Sequence, residues 1–311
     1  MSLHSFTNLE IKTPPSDLLL EQMELNQFYL RELGDPSKYR NAPMHAEYAR
    51  VQRLEDQWNS FEESRIKLDL FPKNADEFLT WYNQIHVEHR YEVAPFFARL
   101  AKSATLDELA FYIAMEEQVD GRFDDVIALA QLGMSGDMKM ALAENYWDEM
   151  GLGVLSEMHT LLFNNSAAKL REFSDVGARR LEVPAEAFKN GNLLLMYSLR
   201  RQYQPRLLGA LAILEHTAPY RFAKTVSAMR RLGLPEQVIY YHDMHIRIDA
   251  NHGKQLLNRV LLPLVKCFPE VIRELCIGCL IRYNIAVDYY NSVERAMKKL
   301  SSDHSLSNLR N

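Results

Sequence analysis

Glycine and proline are scarce, with twelve of each in 311 residues, where average usage would give the pair about 12% of the chain. So few turn-formers cannot punctuate many short strands, which argues against a β-sandwich or barrel. Cysteine is scarcer still: three residues cannot build a disulfide framework. Basic charge is not in excess either. There are 36 Lys and Arg against 41 Asp and Glu, a formal net charge of −5. A nucleic-acid-binding surface calls for a basic face, so no nucleic-acid partner is expected. No apolar run approaches about 18 residues, so no membrane-spanning helix is expected. The opening MSLHSFTNLE lacks a basic-then-apolar signal pattern. Together these absences predict a protein of a reducing cytoplasm.

What the chain does have is helical periodicity. Apolar residues make up 47% and charged residues 25%, an ordinary globular balance. Apolar positions recur at helical spacing over 16–33, 76–100, 106–132, 137–163, 191–216, 218–232, 235–266 and 268–300. Residues 42–70 look helical but highly charged, which suits an exposed or partner-facing helix. Asp76 and Asp107 are placed to cap helices. Gly151 and Gly153 fall inside a helical stretch and predict a bend there. The fold class read from this pattern is all-α: an N-terminal helical extension over 1–75, then a multi-helix bundle over 76–311.

The chemistry concentrates in YYHDMHIRIDANHGKQLL, residues 240–257. His245, Asp249 and His252 are spaced i, i+4 and i+7, so they line one face of a helix. That stripe is about 10 Å long at helical rise, long for one ion but suited to two with Asp249 between them. Imidazole with carboxylate suits Fe, Mn or Zn rather than Mg or Ca. The flanking Ile246 and Ile248 predict a buried helix, and buried polar groups need partners. One helix cannot close such a site, and facing helices of a bundle supply the rest. The candidates are Glu116 or Glu117 in FYIAMEEQVD, Glu149 and His159 in NYWDEMGLGVLSEMH, and Glu215 at the end of LGALAILE. Cys276-x-x-Cys279 lies in an apolar helix and reads as buried core.

Three of these segments together resemble a known family. NYWDEMGLGVLSEMHTLLF resembles the Asp-Glu-x-Gly-x-Gly…His…Leu-Phe signature of the iron-containing redox enzymes, within the heme-oxygenase-like diiron oxidases and oxygenases. HIRIDANH (245–252) is similar to their His-x3-Asp-x2-His motif, and 197–219 resembles their third motif helix. The resemblance implies a heme-oxygenase-like bundle with iron ligands at Glu117, His159, Glu215, His245, Asp249 and His252, and a further carboxylate at Glu149. It implies two iron ions, Fe(II) in the reduced resting form, with O2 as co-substrate. The reaction would oxidise a C–H bond or an amine nitrogen of a small organic substrate, by desaturation, oxidative cleavage or oxygenation. The alternative is a metal-free all-α binding or scaffold protein that retains the bundle. A homodimer is left open. Glu149 and His159 are ten residues apart, about 15 Å on a straight helix, so both reach one cluster only if the chain deforms near Gly151 and Gly153.

Overall fold

The computed structural model describes residues 17–35, 37, 45–66, 70–174 and 183–308, with side chains through Leu300. Residues 1–16 of the expected extension lie outside this set. Among the described residues there is no strand, as the scarcity of turn-formers predicts. The order is α1 (Asp17–Glu32), α2 (His45–Ser64), α3 (Ala75–Ser103), α4 (Leu106–Asp120), α5 (Phe123–Ala130), α6 (Gly136–Glu149), α7 (His159–Leu170) and α8 (Ala185–Leu199). After these come α9 (Gln204–Arg231), α10 (Glu236–Gln255), a π-helical turn (Leu256–Leu261), α11 (Leu262–Cys267) and α12 (Ile272–Asn308).

The caps differ from the sequence expectation by a residue or two. Asn74, not Asp76, caps α3, accepting from the Asp76 and Glu77 amides. Thr105 caps α4 in a reciprocal box with Glu108, and Asp107 sits in the first turn. Asp and Glu inside the first turn still complement the helix dipole. The helix expected over 106–132 breaks at Gly121-Arg122. Conversely α9 runs unbroken through Pro219. Pro219 has no N–H to give the carbonyl four residues back, which is that of Glu215.

Helix α9 is the hub, packed along α3, α10 and α12. Its face from Leu207 to Leu214 is fully buried in a core shared with Leu25, Phe28 and Tyr29 of α1 and with Cys276 and Cys279 of α12. The paired cysteines are therefore core residues, and the Cys279 thiol donates to the Gly209 carbonyl. A second apolar cluster gathers Phe96, Phe97, Tyr112, Phe163, Phe222, Tyr241 and Tyr290. Helix α2 is not a free charged rod. Its own acids dock it: Glu55 takes a bidentate bond from Arg200 at 2.8 and 2.9 Å, and Glu62 pairs with the buried Lys189 at 2.5 Å. No helix among the described residues is long and apolar enough to cross a membrane.

Candidate metal centre

Three side chains of α10 define the site. His245, Asp249 and His252 are all buried, on the stripe that their spacing dictates. Gly253 is what lets α10 close on α9. A Cβ there would lie 2.8 Å from the His216 Cα, so a larger residue would push α10 off and carry His252 away from Glu215.

Glu149 and His159 arrive by the predicted bend. Helix α6 ends at Glu149, and two short 3-10 turns, Gly151–Gly153 and Leu155–Glu157, lead into α7 at His159. Gly151, Leu152 and Gly153 all have positive φ, at 61°, 54° and 86°. At Gly151 a side chain is impossible twice over, because a Cβ would also sit 2.4 Å from the Glu157 carbonyl carbon. The deformation replaces a separation of about 15 Å with direct contact: Glu149 Oε2 lies 2.9 Å from His159 Nδ1.

The result is two tripods. Glu149, His159 and His245 form one, and Glu215, Asp249 and His252 the other, each with ligand atoms within 4.8 Å of one another. All six residues are no more than 4% exposed. Six of the seven ligands expected from sequence are thus brought together. Glu117 is the exception. It points out of the bundle to Arg171 at 2.7 Å, and burial raises its carboxyl pKa while Arg171 opposes the rise. Its neighbour Glu116 faces inward, but onto Arg221 and the Tyr289 hydroxyl rather than onto either tripod. His242 is also outside, buried against Phe163 and Phe222.

The hydrogen bonding tests whether cations fit. His245 Nδ1 donates to the Tyr241 carbonyl at 2.6 Å, so its Nε2 is the free nitrogen. That Nε2 faces His159 Nδ1 at 3.0 Å. Burial and the neighbouring His159 hold the His245 pKa well below the ordinary value, which keeps the lone pair available. Glu149 Oε2, His159 Nδ1 and His245 Nε2 therefore converge on one point, and a cation there could take all three as ligand atoms. In the second tripod His252 Nε2 bonds Asp148 Oδ2 at 2.9 Å. Its Nδ1 is buried without a hydrogen-bond partner, 3.8 Å from Glu215 Oε2. Burial would lower the His252 pKa, but Asp148 and Glu215 hold it well above the ordinary value. Burial and the Glu215 charge push the Asp249 carboxyl well up. A cation entering here takes the place of those protons.

Two residues of the site carry no signal in spacing to the ligands. Asn145 is buried on α6 and donates to Glu215 Oε1 at 3.2 Å, and Asp148 receives His252. Asp148 was legible only as part of the Asp-Glu-x-Gly motif, and Asn145 only as the position four before Glu149. Arg200 and Arg201 do not face the tripods: Arg200 is held by Glu55 and Arg201 donates to the Leu132 carbonyl.

Comparison with known proteins supplies a family and a fold. Residues 110–287 match a family described as iron-containing redox enzymes. A domain of unknown function with a heme oxygenase-like fold from Shewanella denitrificans superposes with a TM-score of 0.52 at 16% identity, covering 73% of this chain and 93% of that one. A CADD-like protein of unknown function from Nostoc punctiforme gives 0.52 at 17% identity, covering 70% of this chain and 99% of that one. At such identities the likeness concerns the fold, which is heme oxygenase-like. No curated protein matches the chain.

Proposed function

This chain belongs to the iron-containing redox enzyme family, and from that premise we propose that it is a non-heme diiron oxidase or oxygenase using O2 on a small organic substrate. The observation that carries the reading is the pair of buried tripods. The Glu149, His159 and His245 set has the two-imidazole, one-carboxylate composition of oxygen-activating ferrous sites, which leave positions open for O2 or substrate. Glu215, Asp249 and His252 would hold the second ion with one imidazole and two carboxylates. Iron, when bound, supplies the electron transfer to O2 that amino-acid side chains cannot perform.

The protein's part is to hold and to exclude. The Tyr241 carbonyl fixes the His245 tautomer, and Asp148 fixes the ring of His252, the outer partners that metal-bound imidazoles require. Burial of all six side chains keeps bulk water from the ligand atoms. Burial also makes the carboxylates strong attractors for a cation, since the low-dielectric interior screens them little.

Anaerobic addition of Fe(II) to metal-free protein tests the reading. Wild type is expected to take up two ions per chain and to change its visible absorbance on exposure to O2. His159→Ala and His245→Ala are each expected to reduce uptake to one ion or none. Absence of Fe(II) binding by the wild type would falsify the proposal and favour a metal-free binding protein built on the same bundle.

A further inference from the structure

The two tripods are set up differently. His245 is oriented by a carbonyl of its own helix, one turn earlier. His252 and Glu215 are oriented by side chains of another helix, α6. Each of these two residues divides its polar atoms in the same way. His252 anchors Nε2 on Asp148 and leaves Nδ1 facing Glu215. Glu215 anchors Oε1 on Asn145 and leaves Oε2 facing His252.

We propose that Asn145 and Asp148, on the last turn of α6, are positioning residues dedicated to the second ion: they fix Glu215 and His252 so that this tripod is formed before the ion arrives. The inference rests on the two-ion reading above. Several observations carry it. The spacing of Asn145, Asp148 and Glu149 places all three on the final turn, so one turn of α6 reaches both tripods. His252 is fully buried, so with Asp148 in place its Nε2 is held by that carboxylate and not by bulk water. Asn145 can only offer its amide nitrogen to a carboxylate, which fixes its orientation. Its carbonyl oxygen is then left buried and without a partner, an acceptor for an O–H or N–H brought in from outside. Asp148, by contrast, is about a third exposed, and forms the solvent-side edge of the second tripod.

The consequence is an asymmetry in how the two ions bind. Loss of either α6 side chain frees one ligand of the second tripod and none of the first. Outer-shell partners of this kind typically change metal affinity by about 10- to 100-fold.

Titration of the metal-free full-length chain with Co(II) tests this, since its absorption reports both stoichiometry and coordination. Wild type is expected to show two equivalents. Asp148→Ala and Asn145→Ala are expected to keep one equivalent at wild-type affinity and to weaken the second at least tenfold. Asp148→Asn, whose side-chain oxygen still accepts from Nε2–H, is expected to recover part of that loss. A merely structural role would lower the melting temperature of the metal-free protein and weaken both ions together. Equal weakening of both ions, or no weakening of either, overturns the inference. Should wild type bind fewer than two ions, the two-ion reading falls first and takes this inference with it.

Discussion

Two of the buried charged residues of helix α9, Glu215 and Arg221, lie six positions apart, and their surroundings are opposites. Arg221 sits in a set with a built-in guanidinium, in which only one Asp120 oxygen is left without a hydrogen-bond partner. Glu116 accepts from it and from the Tyr289 hydroxyl, Asp120 lies 3.8 Å away, and its guanidinium stacks on Phe222 at 4.4 Å. Glu215 sits in an open set, where the neighbours are another acid and an imidazole whose inner nitrogen has no partner. Both sets bury carboxylates beside α9, from α4 in the first and from α9 and α10 in the second. In the first the compensating cation is a permanently charged guanidinium, and in the second the cation is an imidazole, His252, whose charge is a removable proton. On the diiron reading, a buried carboxylate is free for a metal where no guanidinium is built beside it.

That contrast can be broken by experiment. The largest effect is expected from Arg221→Met, which strands Glu116 in the core. Breaking a buried pair in this way costs about 3–5 kcal/mol, readable by urea denaturation of the metal-free protein. Fe(II) stoichiometry should not change. If the variant is as stable as wild type, Arg221 is not the counter-charge argued here.

Asp249→Asn should behave in the opposite sense. Burial and Glu215 raise the Asp249 pKa in the folded state, so its contribution to stability is fully present below the unfolded value and is lost as pH rises above it. Asn carries no such penalty. The metal-free variant should match or exceed wild type in melting temperature at neutral pH, with the gap closing in acid. It should also lose the stabilisation that a bound ion confers, about 2.7 kcal/mol at a hundredfold excess over Kd. A variant less stable than wild type without metal would place Asp249 among the structural acids.

The smallest effect is expected at Glu117. Glu117→Gln breaks a partly exposed pair with Arg171, which is worth under about 1 kcal/mol, and should leave metal uptake at two ions. Loss of an ion in this variant would restore Glu117 as a ligand and undo the distinction between the two faces of α4.

The same helix shows where sequence reading stops. His245, Asp249 and His252 were legible because all three belong to one helix, whose geometry fixes their relation. Glu116 and Glu117 were not separable, because α4 is buried almost all round from Leu109 to Glu116, and no apolar stripe says which acid faces inward. The bend at Gly151 was legible, since glycines interrupt a helix in a recognisable way. Asn145 and Asp148 were not read as site residues, because each acts on a ligand from another helix and such pairings exist only after folding. The break expected between 216 and 218 is absent at Pro219 for a local reason. A missing N–H removes one backbone bond, and the packing of α9 against its neighbours outweighs that loss.

Because α10 contributes to both tripods, it serves as a gauge bar for the pair. His245 and Asp249 are separated by one helical turn, a length set by backbone hydrogen bonds and stiff against stretching. The transverse coordinates are set by α6, α7 and α9, through side-chain packing rather than backbone hydrogen bonds. Changes on those helices would then tune how tightly each ion is held. The interval between the two tripods would stay calibrated by the pitch of a single helix.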